Sequence, residues 1–113
     1  MNWYLCKHCG TALESNSTPS NSGCPKSSWH DWNNLGSVGN KNYICKHCST
    51  VIQTQSTPSN SGCPNASWHD WNQAGEVGSN TYICKNCGCK VKANSTPSNS
   101  GCPRSSWHDW NKM

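Results

Sequence analysis

Short apolar runs interrupt a chain that is otherwise polar. After "NWYLC" at residues 2–6 comes "TALE" at 11–14; after "NYIC" at 42–45 comes "TVIQ" at 50–53; after "TYIC" at 81–84 comes "CKVK" at 89–92. Runs this brief, bounded by Gly, Pro, Ser and Asn, are the mark of strands; helices need a longer stretch with a 3.6-residue period. Each pair of runs predicts two short antiparallel strands around a tight cysteine turn. The next stretch, "STPSNSGCP", is the same in all three copies and consists of residues that favour turns. Beyond it "SWHDWN" reads as a third strand. Side chains alternate between the faces of a strand, so His30 and Trp32 would point together toward a shared interior while Trp29 and Asp31 face away.

The pattern repeats every 39 residues, from Cys6 to Cys45 to Cys84 and from Cys24 to Cys63 to Cys102. A repeat of this size cannot bury enough apolar surface to offset its chain entropy without disulfides, metal or partners. Composition sharpens the point: the 113 residues include no Phe, ten Cys and a hydrophobic fraction of 32%. We therefore expect a small, mostly β fold of three tandem units, each of two to three short antiparallel strands and held by cross-links or bound metal. Their expected boundaries are 1–35, 41–74 and 80–113, with 36–40 and 75–79 as linkers. Two glycines in each joining segment argue for flexibility and beads with limited contacts, although Val38 and Val77 recur at one position and suit docking on a neighbouring unit.

Each repeat has three equivalent cysteines, an odd number that cannot close on itself by disulfides. Metal has no such parity rule when another residue type completes the set. His8 and His47 are replaced by Asn86 in the third repeat, whereas His30, His69 and His108 occur in all three. The shared pattern is C-x2-C-x14-C-x5-H. It assigns Cys6, Cys9, Cys24 and His30 to one site, Cys45, Cys48, Cys63 and His69 to a second, and Cys84, Cys87, Cys102 and His108 to a third. Three thiolates and an imidazole make a closed tetrahedral site of the structural Cys3His kind, so Zn²⁺ is the expected ion, three in all. Four protein donors leave no open position for water, and no catalytic residue is expected. Asp31, Asp70 and Asp109 stand beside the histidines as candidates to support them. Trp32, Trp71 and Trp110 are expected to shield the metal and supply most of a small core. Cys89, present in the third repeat alone, reads as a strand residue and not a ligand.

The knuckle "YxCKxCG", a polar loop, "GCP" and then "HxW" resemble the short zinc-ribbon modules of small bacterial proteins. The resemblance covers nearly all of each repeat. It implies Zn²⁺ at the three ligand sets and no enzyme activity. Repeat two departs from it with Ser49 where Gly10 and Gly88 stand in the others, which would strain that turn.

Charge ranks the partners. The formal net charge is +4; nine thiolates and three divalent ions would bring it to +1, nearly neutral. A non-catalytic binding or scaffolding module, most of all for protein, is the first expectation, with Trp29, Trp68 and Trp107 as repeated surface aromatics. Single-stranded nucleic acid is the alternative, through Lys7, Lys46 and Lys85 and stacking on the same tryptophans, but nucleic-acid binders carry a stronger basic stripe. Carbohydrate binding through the tryptophans is a third reading. No secretory signal or membrane-length stretch is visible, so a reducing, cytoplasmic setting is expected.

Overall fold

The computed structural model describes residues 1–99 and 102–113, so Gly101 of the third "GCP" turn lies outside the described residues. Among the described residues there are seven strands and no helix. They are β1 (Asn2–Cys6), β2 (Ala12–Ser15), β3 (Trp32–Cys45), β4 (Val51–Thr54), β5 (Trp71–Cys84), β6 (Lys90–Ala93) and β7 (Trp110–Lys112). All pairings are antiparallel. The fold is the small, mostly β architecture that the short apolar runs imply.

How the units join differs from a string of beads. Strand β3 leaves the first repeat and, without a break, becomes the first strand of the second; β5 does the same between the second and third. The segments 36–40 and 75–79 are thus part of 14-residue strands. The first half of β3 pairs with β1, and its second half pairs with β4 on one side and β5 on the other. The Cα radius of gyration, 13.8 Å, is close to the ~13 Å of a compact chain this long, so the repeats stack against each other.

The glycines of the joining segments explain why flexibility was the wrong physical reading of them. Gly36 and Gly75 have φ of 125° and 114° and sit at β-bulges, where the ladder slips between Trp3 and Tyr4 and between Asn42 and Tyr43. The extra residue of each bulge, Leu35 or Ala74, is unpaired with the partner strand and buried at 1% and 2% exposure. Its carbonyl accepts from the next repeat's loop, Ser59 N at 2.9 Å or Ser98 N at 3.2 Å. A bulge turns one residue out of the ladder, and here that residue staples one unit to the next. Gly39 and Gly78 serve close approach: a Cβ there would collide with the backbone leading into Gln55 or Asn94.

The core lies at the seams. Trp3, Leu5, Leu35 and Ile52 form one buried cluster between the first two repeats, with Val38 and Trp71 packed against it. Ile44, Ala74, Tyr82, Cys89, Val91 and Ala93 form the other, between the second and third. Trp32, Trp71 and Trp110 are only half-buried; burial of the core falls instead to the strand and bulge residues. The third strand also starts later than "SWHDWN" suggests, at Trp32, Trp71 and Trp110. Residues 29–31 stay irregular because their polar backbone is engaged elsewhere: His30 N donates to Asn21 O at 2.7 Å, and Asp31 O accepts from Lys7 N at 3.0 Å.

Candidate metal centre

Each knuckle is built the same way. Cys6 O accepts from Gly10 N at 2.9 Å while Cys6 N donates to Thr11 O at 2.9 Å, closing a turn that leaves Cys6 and Cys9 side by side. The same pair of bonds recurs about Cys45 and Cys84. The turn needs a left-handed residue, and Gly10 and Gly88 adopt φ of 77° and 80°; Ser49 is forced to 66°. The polar loop then returns the third cysteine, and the irregular stretch before β3, β5 or β7 delivers the histidine.

The result is three clusters: Cys6, Cys9, Cys24 and His30; Cys45, Cys48, Cys63 and His69; Cys84, Cys87, Cys102 and His108. Within each, the four donor atoms all lie within 4.8 Å of one another. Every cysteine of the chain is a free thiol, so nothing but proximity links the sulfurs. The imidazole turns Nδ1 toward the thiols: Cys9 Sγ to His30 Nδ1 is 3.6 Å, and Cys48 to His69 and Cys87 to His108 are both 3.5 Å. A tetrahedral ion with metal–sulfur bonds of about 2.3 Å and metal–nitrogen bonds of about 2.0 Å would hold S and N about 3.5 Å apart.

The other ring nitrogen makes the arrangement harder to explain by hydrogen bonding alone. Nε2 of His69 and of His108 is buried with no partner, and leaving a buried polar atom unsatisfied costs about 1–3 kcal/mol. A ring that leaves one nitrogen orphaned to aim the other at three thiols is placed for coordination. Burial also holds His108 below the ordinary histidine value, which keeps the imidazole neutral, as a metal ligand must be. At site two, a hydrogen bond with Cys48 holds the Cys45 thiol well below its usual range against the cost of burial, helped by His69 and the Cys48 and Asp70 backbone N–H groups. The shared proton stays on Cys48, whose value is raised by the same contact and by burial. Cys9 pays for desolvation, yet hydrogen bonds from Thr11 bring it down to about 6.

Around the clusters, Trp32, Trp71 and Trp110 stack on His30, His69 and His108 with ring centroids 4.6 Å apart and planes inclined by 27°. Each indole N–H donates to a loop carbonyl, Ser20, Ser59 or Ser98, at 2.8–2.9 Å. The tryptophan is therefore a lid that ties the polar loop over the histidine. Asp31, Asp70 and Asp109 reach the clusters through their backbone: Asp31 N and Asp109 N donate to Cys6 and Cys84 Sγ at 3.4 Å, and the Asp70 N–H serves Cys45. Thr11 and Thr50, which spacing alone did not single out, contact Cys9 and Cys48 Sγ through their hydroxyls at 3.2 and 3.1 Å. Cys89 takes the equivalent place in the third repeat, buried in the seam with its Sγ 3.7 Å from Ser49 O and outside the cluster of four.

The residues expected at a partner surface stand apart from the clusters. Trp29, Trp68 and Trp107 are 48–49% exposed. Trp29 and Trp68 lie edge-on to His8 and His47, centroids 5.3 Å apart, which gives those two histidines a role as ring supports. In the third repeat Asn86 Nδ2 instead bonds Trp107 O at 3.0 Å. Lys7, Lys46 and Lys85 are exposed beside the knuckles.

The chain matches no family model, no curated protein and no solved structure. What the geometry shows by itself is three Cys3His clusters, each able to hold a metal ion.

Proposed function

We propose that this protein is a non-catalytic scaffold of three stacked zinc ribbons that presents a repeated aromatic surface to a protein partner. The observation that carries the metal half is the Nδ1-inward histidine, 3.5–3.6 Å from a ligand thiol in every cluster, with a stacked Trp closing it. Three sulfurs and a nitrogen suit Zn²⁺, and four protein donors leave it structural. In that role zinc supplies folding free energy and no reaction step. Ten free thiols fit a reducing, cytoplasmic compartment.

The binding half rests on Trp29, Trp68 and Trp107. Large indoles held half-exposed at one equivalent position per unit are anchors of the kind that dominate protein interfaces. Single-stranded nucleic acid is a weaker reading, since one lysine recurring at an equivalent position per repeat, on a nearly neutral particle, gives little phosphate attraction. Capture from native lysate should recover a discrete protein with the wild type and lose it with Trp29→Ala, Trp68→Ala and Trp107→Ala combined, zinc content unchanged. Equal recovery by both, or retention that vanishes with nuclease, would refute the protein-binding surface.

A further inference from the structure

The two seams are built on one plan but are not filled alike. In the first, Trp3 is the centrepiece: 8% exposed, it faces Glu14 across the ladder, donates Nε1 to Gln53 O at 2.7 Å and belongs to the cluster that holds Ile52 and Val38. One period later its place is taken by Asn42. That side chain is fully buried and repeats the polar half of the job, with Nδ2 on Lys92 O at 2.9 Å and Oδ1 accepting from Gln53 at 3.2 Å. It cannot repeat the apolar half, because it lacks the rings.

A cavity of about 400 Å³ opens at this second seam, lined by Gln53, Val77, Thr81, Lys90, Val91 and Lys92. Shifted back by one period, Gln53, Val77, Val91 and Lys92 become Glu14, Val38, Ile52 and Gln53, the surroundings of Trp3. The size falls in the range of small-molecule sites, about 300–1,000 Å³. Two of the lining positions also change in character: Lys90 and Lys92 stand where the second repeat has Val51 and Gln53, both are exposed, and no acidic side chain lines the space.

We propose that the seam between the second and third repeats is a binding site for a small planar aromatic carboxylate, its ring occupying the space that the Trp3 indole fills in the first seam. Val77 and Thr81 on the wall receive the ring, with the buried Val91 beneath it, and the Lys90 and Lys92 ammonium groups pair with the carboxylate. The site is independent of the three metal clusters and of the Trp29, Trp68 and Trp107 surface.

The test uses the full folded chain purified with zinc, indole-3-acetate and indole as probes, and methyl-detected NMR as the readout. Indole-3-acetate should give saturable shifts at the Val77 and Val91 methyls and none at Val38, its counterpart in the filled seam. Asn42→Trp, which supplies the missing indole, should weaken binding at least about tenfold, a difference of about 1.4 kcal/mol, while its new indole N–H appears as a protected resonance. Lys90→Gln with Lys92→Gln should weaken indole-3-acetate about five- to tenfold, in line with about 1 kcal/mol for exposed charge pairs, and leave indole itself unchanged. This second variant decides the matter if Asn42→Trp does not fold. The proposal is overturned by no saturable shift in the wild type, by equal shifts at Val38 and Val77, by folded Asn42→Trp that binds as the wild type does, or by the double lysine variant holding indole-3-acetate as tightly as the wild type.

Discussion

At position 49 a serine occupies a glycine's backbone geometry. Its φ of 66° matches the 77° and 80° of Gly10 and Gly88, and an L-residue held in the left-handed region costs roughly 1–2 kcal/mol. The turn's backbone bond is no tighter for it: Ser49 N bonds Cys45 O at the same 2.9 Å as Gly10 N bonds Cys6 O. Ser49→Gly should therefore stabilise the protein by about 1 kcal/mol, read as a rise in denaturation midpoint with unchanged metal content; a loss of stability would mean that the serine hydroxyl supports the site. The same residue-by-residue comparison shows what spacing could reveal. Cysteines and histidines at constant offsets in three copies pick out one quartet per repeat, because a ligand must recur wherever its metal does. Thr11 and Thr50 were invisible to that logic, since Cys89 breaks the series.

The element that makes three small units one body is the bulge near the start of β3 and β5. It places Leu35 and Ala74 into the next repeat and lends their carbonyls to its loop, so each repeat's third strand is also the clasp for its successor. Leu35→Ala should cost about 2–5 kcal/mol, the usual range for a buried leucine, while Asn40→Ala, exposed on the same strand, should stay within about 0.5 kcal/mol. Equal small effects by chemical denaturation would show the seam to be loose. The strands and the tight cysteine turns were legible in the sequence from short apolar runs and turn residues. The joining segments were not, because glycine is written the same way whether it gives freedom, a bulge with positive φ, or room for close approach. Trp3 was hidden for a related reason: its partners, Ile52 and the Gln53 carbonyl, lie in the next repeat, the latter 50 residues away in sequence.

Across the whole molecule the repeats are unequal because each is covered by the one before it. Pro58, Cys63 and His69 are buried in the second repeat and Pro97, Cys102 and His108 in the third, while Pro19, Cys24 and His30 are half-buried in the first. The second loop rests on the first repeat through Ser59, and the third on the second through Ser98; among the described residues the first loop makes no equivalent backbone bond. A polar cleft of about 420 Å³ lies between the first two clusters, lined by His8, Cys9 and Lys26 on one side and Cys48, Thr50 and Asn65 on the other, so the difference between the two sites rests on the burial of the third cysteine and the histidine. Limiting chelator should thus strip the first site first. Since the Cys9 thiol lies near 6, it is a reactive thiolate at neutral pH once freed, and iodoacetamide should label Cys9 ahead of Cys48 and Cys87, the difference fading as pH falls below about 6 and the thiol is protonated. Simultaneous labelling of all three would instead make metal release a single cooperative event.

The most direct test of three closed sites is the metal stoichiometry of the full chain by native mass spectrometry, joined to zinc K-edge X-ray absorption. The account predicts three zinc ions per chain, each with three sulfurs at about 2.3 Å and one nitrogen at about 2.0 Å, and a protein that loses its near-ultraviolet tryptophan dichroism when they are removed. A metal-free chain that keeps its folded dichroism, or a mass lighter by two protons for each of several disulfides, would contradict it.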